Sequence, residues 1–419
     1  MGEVIGQTAI PLEVALQVQA GHVVGREKRE DQLAVAGRSG RGVGAGRQIV
    51  GSSGNDRIDG TESSDDIYAD PVPVDDRGGD DQVWGHGGDD RIRGFGGDNE
   101  LFGGPGNDQL ITADGRDRIF GGPGNDEIQG GRETDTLWGG PGDDEIRGGE
   151  GDDTLYGEAG LDRVIGSSGN DILHGGLDAD ELEGREGLDT FVWSGANEGR
   201  DTILDFELGI DRLLIGDFLR GYSGRLGALE RHVRLDSSEG QTVLQVDADG
   251  HGPGGWSDLA TLSGVGPISA RALHMVGDLV LAGHEAAPAF SALGYIASYD
   301  DLIAAFGTDD LAGKRHFIGA GYAEHRTVTF DGLQYIAGND DLVEAFGADP
   351  EAGARHYIRA GHAEGRARDS FDEKQYLANY ADLRAAFGQD YEAATRHYIE
   401  YGHAEGRTDD PPGASDFML

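Results

Sequence analysis

The sequence predicts a mainly-β chain: a right-handed parallel β-roll closed by a β-rich cap, followed by a region of α-helical hairpin repeats. Three observations predict it. A nine-residue period runs through residues 51–192 with one interruption, alternating apolar positions follow it, and a second period of about forty residues starts at Phe290. The corresponding divisions are a poorly ordered amino-terminal segment (1–48), the roll (49–192), the cap (193–283), three helical repeats (290–407) and a tail (408–419).

The nine-residue frame holds without slippage for thirteen units from Asp76 to Val192, with two more units at 51–68. ADPVPVD, residues 69–75, separates the two runs, and its prolines suit no central strand. Position six reads Asp56, Asp65, Asp81, Asp90, Asn99, Asp108, Asp117, Asp126, Asp135, Asp144, Asp153, Asp162, Asp171, Asp180 and Asp189. Position eight reads Ile58, Ile67, Val83, Ile92, Leu101, Leu110, Ile119, Ile128, Leu137, Ile146, Leu155, Val164, Leu173, Leu182 and Phe191. With 37 % hydrophobic residues overall, an unbroken apolar column has a chance probability on the order of one in a million or less.

Residue types turn this clock into a physical unit. Glycines at positions one, two and four allow positive φ and close backbone approach, so six residues make a tight turn with inward carbonyls. The last three residues make a very short strand whose central side chain faces in. Two units form one coil, and coils stack at about 4.8 Å. Turns two units apart are therefore neighbours.

Composition narrows the partners. The chain has 419 residues, 74 glycines, no cysteine and a formal charge of -44. Disulfides and thiolate metal sites are excluded, and nucleic acid or an anionic membrane would be repelled. Cations are the natural partner, because a compact body of this charge repels itself. No apolar stretch of about eighteen residues exists to span a bilayer. The amino end lacks a basic start followed by an apolar block, so it does not read as a Sec signal.

The GGxGxDxUx units strongly resemble the RTX repeats of type I secreted bacterial proteins, over about a third of the chain. That resemblance implies Ca2+, bound as multiple ions between turns of adjacent coils. The position-six carboxylates would be ligands, with turn carbonyls such as those of Gly104, Gly106, Gly122, Gly124, Gly140 and Gly142. Calcium takes six to eight oxygen ligands, and these turns offer only oxygens. About seven to twelve ions are expected from the paired turns. The resemblance also implies the type I secretion machinery as a partner, extracellular localisation, and folding coupled to metal entry outside the cell.

The two sides of the roll are unequal. One carries Asp90, Asp108, Asp126, Asp144, Asp162 and Asp180, in turns such as GHGGDD, GGPGND, GGPGND and GGPGDD. The other interleaves GFGGDN, TADGRD and GGRETD: Asn99 lacks charge, Thr112 and Ala113 replace both leading glycines, and Glu133 replaces the glycine at position four. Calcium is expected to fill the side of Asp126 more completely than the side of Asp117.

Beyond the roll, Phe191, Trp193, Gly199, Asp201, Ile203, Asp205, Phe206, Gly209 and Asp211 resemble the closing segment of RTX rolls in serralysin-type proteases and related secreted proteins. The runs TVLQVDADGHG and DLATLSGV resemble type I secretion target domains. Asp247, Asp249 and Asp258 have partial calcium-loop spacing, although His251 stands at a usual oxygen position, and a plain acidic turn is the favoured reading.

The forty-residue copies begin at Phe290, Phe330 and Phe371, with Tyr295, Tyr335 and Tyr376 five residues later. Apolar spacing and the glycine after each AF predict paired helices, three hairpins in all. His316, His356 and His397 recur beside Phe317, Tyr357 and Tyr398, and an aromatic-polar packing role is favoured over metal binding. Glu324–Arg326, Glu364–Arg366 and Glu405–Arg407 suit local turns or intercopy ion pairs. The terminal SDFML resembles the end motif of type I secreted proteases.

No catalytic motif emerges. The one His-Glu pair, His284-Glu285, is followed by AAP rather than xxH, and neither a GxSxG elbow nor a Walker-type phosphate loop occurs in context. Three readings follow. A non-enzymatic, calcium-folded binding or surface/matrix protein leads. The carboxyl part of a larger protease, lipase or epimerase comes second. A cytolytic toxin comes last, because no apolar region precedes the repeats.

Overall fold

A computed structural model describes residues 47–411 apart from 72–77, 217, 220–221, 224–225, 239–240, 251–254 and 283–289. The expected amino-terminal segment therefore lies almost wholly outside the described residues. So do His251, the His284-Glu285 pair and the SDFML end.

Residues 48–215 wind into a parallel β-solenoid of about nine coils. Alternate strands go to opposite faces. One sheet runs from Gln48–Val50 through Arg91–Phe95, Glu127–Arg132 and Arg163–Ser168 to Asp201–Ile203. The other runs from Arg57–Thr61 through Gln82–His86, Thr136–Pro141 and Ile172–Leu177 to Arg212–Ile215. Within the continuous run, positions pair with their equivalents two units on, as Leu137 does with Leu155 and Ile146 with Val164, apart from a register shift that sets Phe95 opposite Thr112. The eighteen-residue coil follows directly from the nine-residue clock.

Every position-eight residue is buried, from Ile58 to Phe191, and they stack into a core one side chain wide per strand. The neighbours of these residues face outward, as strand alternation requires. On the outside of the second sheet this puts Trp84, Phe102, Phe120, Trp138, Tyr156 and His174 into one stacked ladder. Successive ring centroids are 5.4, 4.9, 4.4, 5.5 and 4.5 Å apart. The ladder sits at position nine of every second unit, and only the pairing of coils brings its members together.

The sheets do not stop where the nonamers stop. The expected boundary after Val192 falls inside the strand Thr190–Trp193. The first sheet continues through Trp256–Leu262, Gln241–Asp247 and Val233–Ser238, the last two steps being antiparallel. The second accepts Leu279–Leu281 alongside Arg212–Ile215, after a short helix Ala270–Val276. These additions cover the solenoid's carboxyl-terminal strands, whose open edges would otherwise template further pairing.

The carboxyl-terminal copies differ from the expected hairpins. Each holds at least three short helices rather than two: Ala292–Ala297, Asp300–Phe306 and Asp310–His316 in the first copy, Gly332–Ala337, Asp340–Phe346 and Pro350–His356 in the second, which adds the three-residue turn His362–Glu364, and Glu373–Asn379, Ala381–Phe387 and Tyr391–His397 in the third. Gly307, Gly347 and Gly388 end the middle helix at positive φ. Two residues later Asp309, Asp349 and Asp390 start another, each carboxylate accepting a first-turn N–H, from Ala312, Ala352 and Ala393. The third helix then continues into a π-helical turn, Phe317–Gly321 and its equivalents. Roll and helices meet at Asp278, a buried carboxylate whose Oδ1 lies 2.6 Å from Lys314 Nζ.

Candidate metal centres

Each position-six side chain lies under a turn, between that turn and the core, and all are buried. The two oxygens of each carboxylate have different fates. Oδ1 accepts the N–H of the equivalent residue one coil earlier: Asp108 N–H donates to Asp126, Asp126 N–H to Asp144, Asp117 N–H to Asp135 and Asp135 N–H to Asp153, at 2.7–2.8 Å. Oδ2 has no hydrogen-bond partner in Asp81, Asp90, Asp108, Asp117, Asp126, Asp135, Asp144, Asp153, Asp162, Asp171, Asp180 and Asp189. A buried, unpartnered carboxylate oxygen is costly, and twelve in two columns call for a shared cation.

Backbone oxygens complete the arrangement. In the turns of the Asp126 side, inter-coil N–H bonds land on the carbonyls of positions one and three: Gly104 N–H donates to Gly121 O and Gly106 N–H to Pro123 O. No described hydrogen bond ends on the carbonyls of Gly104, Gly106, Gly122 or Gly124. In the GGPG turns, glycine at positions two and four supplies space as well as positive φ, whereas other turns hold His86, Phe95, Glu133, Glu158 and Ser167 at positive φ in these places. A Cβ on Gly124, at φ 141°, would overlap the Gly106 carbonyl oxygen. Among the described residues no three His, Asp or Glu side chains gather closely enough to hold a metal by themselves, so any cation here must use backbone carbonyls too. An all-oxygen set of carboxylates and carbonyls fits a hard cation of variable coordination, which is calcium's chemistry.

Burial sets the electrostatics. It pushes Asp81, Asp135 and Asp144 up to about 8, and Asp108, Asp117, Asp126, Asp153, Asp162 and Asp171 up to about 7. Asp90, Asp180 and Asp189 rise to about 6. The backbone N–H donated to each carboxylate opposes the shift without cancelling it.

The column ends are closed by protein donors. Ser52 N–H donates to Asp56 Oδ2, and Thr61 donates to Asp65 Oδ2 through both its N–H and its hydroxyl. At the far end Asp201 and Asp211 extend the columns, accepting from Asp180 N–H and Asp189 N–H. Their other oxygens accept from Trp193 Nε1–H and Glu207 N–H. The nonamer rule groups Asp56 and Asp65 with the interior carboxylates and leaves out Asp201 and Asp211. The structure makes all four the satisfied ends of the columns.

The two sides differ where the sequence differs. On the first side Asn99 Oδ1 accepts from Asp81 N–H, but its Nδ2 donates to Gly97 O, using a position-four carbonyl. Arg116, at position five of the next turn, pairs with Asp98 at 2.9 Å and brings a fixed cation beside the column. Each side carries a groove: one of about 900 Å³ lined by Asp65, Asp90, Asp108, Asp126 and Asp144 on the second, and one of about 680 Å³ lined by Asp56, Asp81, Asn99 and Arg116 on the first.

A second ladder lies outside these columns and was not legible from position six. At position five Asp89, Asn107, Asn125 and Asp143 each accept, through Oδ1, the N–H of the equivalent residue one coil later. This runs opposite in direction to the buried column, so each second-side turn is tied to both neighbours. The signal was the Asn/Asp bias before each column aspartate.

Residues 48–71, 76–110, 111–146, 129–164 and 156–191 match the family model described as RTX calcium-binding nonapeptide repeat (4 copies). The segment is an RTX repeat array. Among solved structures, the chain is similar to a subunit of the Azotobacter vinelandii mannuronan C5-epimerase, with 25 % identity, a TM-score of 0.25, and coverage of 40 % of this chain and 83 % of that one. It is also similar to the extracellular lipase LipA of Serratia marcescens, with 22 % identity, a TM-score of 0.25, and coverage of 57 % of this chain and 41 % of the lipase. The chain thus spans about two fifths of that lipase's length. No curated protein matches it.

Outside the RTX array the other candidates are engaged. Tyr295, Tyr335 and Tyr376 hydroxyls hydrogen-bond His316, His356 and His397 Nδ1 at 2.9–3.0 Å, inside aromatic clusters. Each Arg of the recurring Glu-x-Arg pairs with its own Glu and with an Asp of the same copy, as Arg366 does with Glu364 and Asp341. Asp247 Oδ1 accepts from Asp249 and Gly250 N–H groups, and Asp258 pairs with Gln245 and Arg200, an acidic turn tied to its neighbours.

Proposed function

We propose that this protein is a secreted, calcium-folded RTX protein whose array acts as a metal-ordered scaffold, and that its role is non-enzymatic binding at a surface or in an extracellular matrix. One observation carries the calcium reading: the twelve buried Oδ2 atoms without partners, in a roll whose Asp126-side turns leave the carbonyls of Gly104, Gly106, Gly122 and Gly124 without a described hydrogen bond. Bound calcium would hold these carboxylates ionised and stitch successive coils together. Without it, a core of one apolar residue per strand does little to offset the cost of ordering the backbone.

Export by a type I route is supported by the RTX array and the closing segment around Asp201 and Asp211. In a low-calcium cytosol the array would stay unfolded, and calcium outside would drive it into shape. The non-enzymatic reading is supported by the sequence, which carries no HExxH and no nucleophile elbow.

The test is circular dichroism of the full-length chelated protein as calcium is added, beside a count of bound ions. A gain of β structure with about seven to twelve ions is expected. No gain of β structure would overturn the reading.

A further inference from the structure

We propose that Asp70 and Asp81 together form a cation site that the nonapeptide rule does not generate, at the amino-terminal end of the first side, and that it takes calcium. The inference rests on the calcium reading of the array but assigns a ligand from the interruption between the two repeat runs.

The described residues on either side of 72–77 keep the frame of a coil. Strand Asp66–Tyr68 pairs in parallel with Arg91–Phe95, Ile67 opposite Ile92 as core position faces core position in the later coils, and Ala69 N–H donates to Arg93 O, the bond that Gly103 N–H makes to Phe120 O. Ala69 thus takes position one and Asp70 position two. The described chain takes up again at Gly78 and Gly79 and reaches Asp81, whose Oδ1 accepts from Asp56 N–H across 25 residues instead of 18. Where other turns carry glycine, this one carries a carboxylate.

That carboxylate is fully buried, at 0 % exposure, and neither of its oxygens has a hydrogen-bond partner. Among the described residues no other carboxylate has both oxygens in this state. The Gly79 amide is near enough to favour the ionised form, yet makes no hydrogen bond of normal geometry with it. Asp70 Oδ2 lies against Gly78, where a Cβ would overlap it. Asp81 Oδ2 is also buried and unpartnered, and the charges of Asp56 and Asp70 both act on it. Asp56 is already satisfied by Ser52 N–H, which leaves Asp70 and Asp81 to share the ion.

Two carboxylates with three open oxygens, completed by turn carbonyls, suit calcium better than magnesium, which demands near-ideal octahedral geometry and keeps its waters. The site would give the first side a firm start just before Asn99 interrupts it. An extra side-chain donor replaces the turn carbonyl geometry that Ala69 and Asp70 do not reproduce.

The experiment is equilibrium dialysis of full-length protein against calcium, with thermal melts in EGTA and in saturating calcium, for wild type, Asp70→Asn, Asp81→Asn and the double variant. Asp70→Asn should bind one calcium fewer, melt higher than wild type in EGTA because an unpaired buried charge is gone, and melt lower in calcium. The double variant should lose no more ions than Asp81→Asn alone. An unchanged ion count and unchanged melting in both media for Asp70→Asn would overturn the site, and so would additive losses in the double variant. A wild type that binds no calcium would instead overturn the reading of the whole array.

Discussion

The roll and the helical copies are both repeats, yet they close their polar accounts in opposite ways. In the helical copies the recurring tyrosines, arginines and capping aspartates meet protein partners: Tyr335 with His356, Arg366 with Asp341 and Glu364, Asp349 with the N–H groups it caps. In the roll the recurring aspartate meets half of one, its Oδ1 satisfied and its Oδ2 open. The difference teaches where any dependence on metal would reside: in the roll, whose Oδ2 atoms are open, rather than in the helical copies, whose recurring Tyr–His and Arg–carboxylate groups are already paired.

The largest effect that could break this comparison is that of pH and metal. The roll's interior carboxylates titrate at about 6 to 8 when folded without metal, against 3.8 for the ordinary side chain. The metal-free folded roll therefore binds more protons than the unfolded chain between these values, and its stability falls as pH rises from about 4 to about 8. In saturating calcium the order reverses, because protons compete with the ion for the same oxygens. Thermal melts at acid and neutral pH, in EGTA and in calcium, should show the β signal following these opposite trends while the helical signal moves little. Parallel loss of both signals in EGTA at neutral pH would remove the distinction between the regions.

A smaller effect compares two uses of glycine. Gly124→Ala in the roll meets both an unfavourable φ and a backbone oxygen, and should cost about 2–5 kcal/mol. Gly365→Ala, at a helix end with φ 69° and open space around it, should cost only about 1–2 kcal/mol. Denaturant melts in calcium measure both, and equal costs would show that coil stacking in the roll is loose.

The smallest effect sharpens the comparison within the roll. Asp126→Ala should lower calcium binding more than Asp117→Ala, because Asp126 sits in an unbroken column whereas Asp117 follows Asn99 and Arg116. Calcium titration of the two variants decides it, and equal losses would sink the asymmetry of the sides.

Much of this was legible in the chain itself. Alternation and period placed Leu137 or Ile146 in the core, and a nine-residue repeat leaves no other register for them. The carboxylate columns followed from the same frame. Other features escaped it for definite reasons. The helical copies gained a third helix because Asp309, Asp349 and Asp390 act as caps only two residues after a glycine stop, a spacing too short for apolar periodicity to resolve. Asp201 and Asp211 joined the columns through bonds spanning 21 and 22 residues, outside any fixed period.

The sequence by itself determined the coil: its length, its core residue, and the aspartate beneath every turn, because each is repeated and each depends only on neighbours along the chain. Tertiary structure alone decided which oxygen of each aspartate is spent on the backbone and which is left open, where the columns end, and that Asp70 enters a turn. Those outcomes depend on which donor lies one coil away, and that distance is set by stacking rather than by the order of residues.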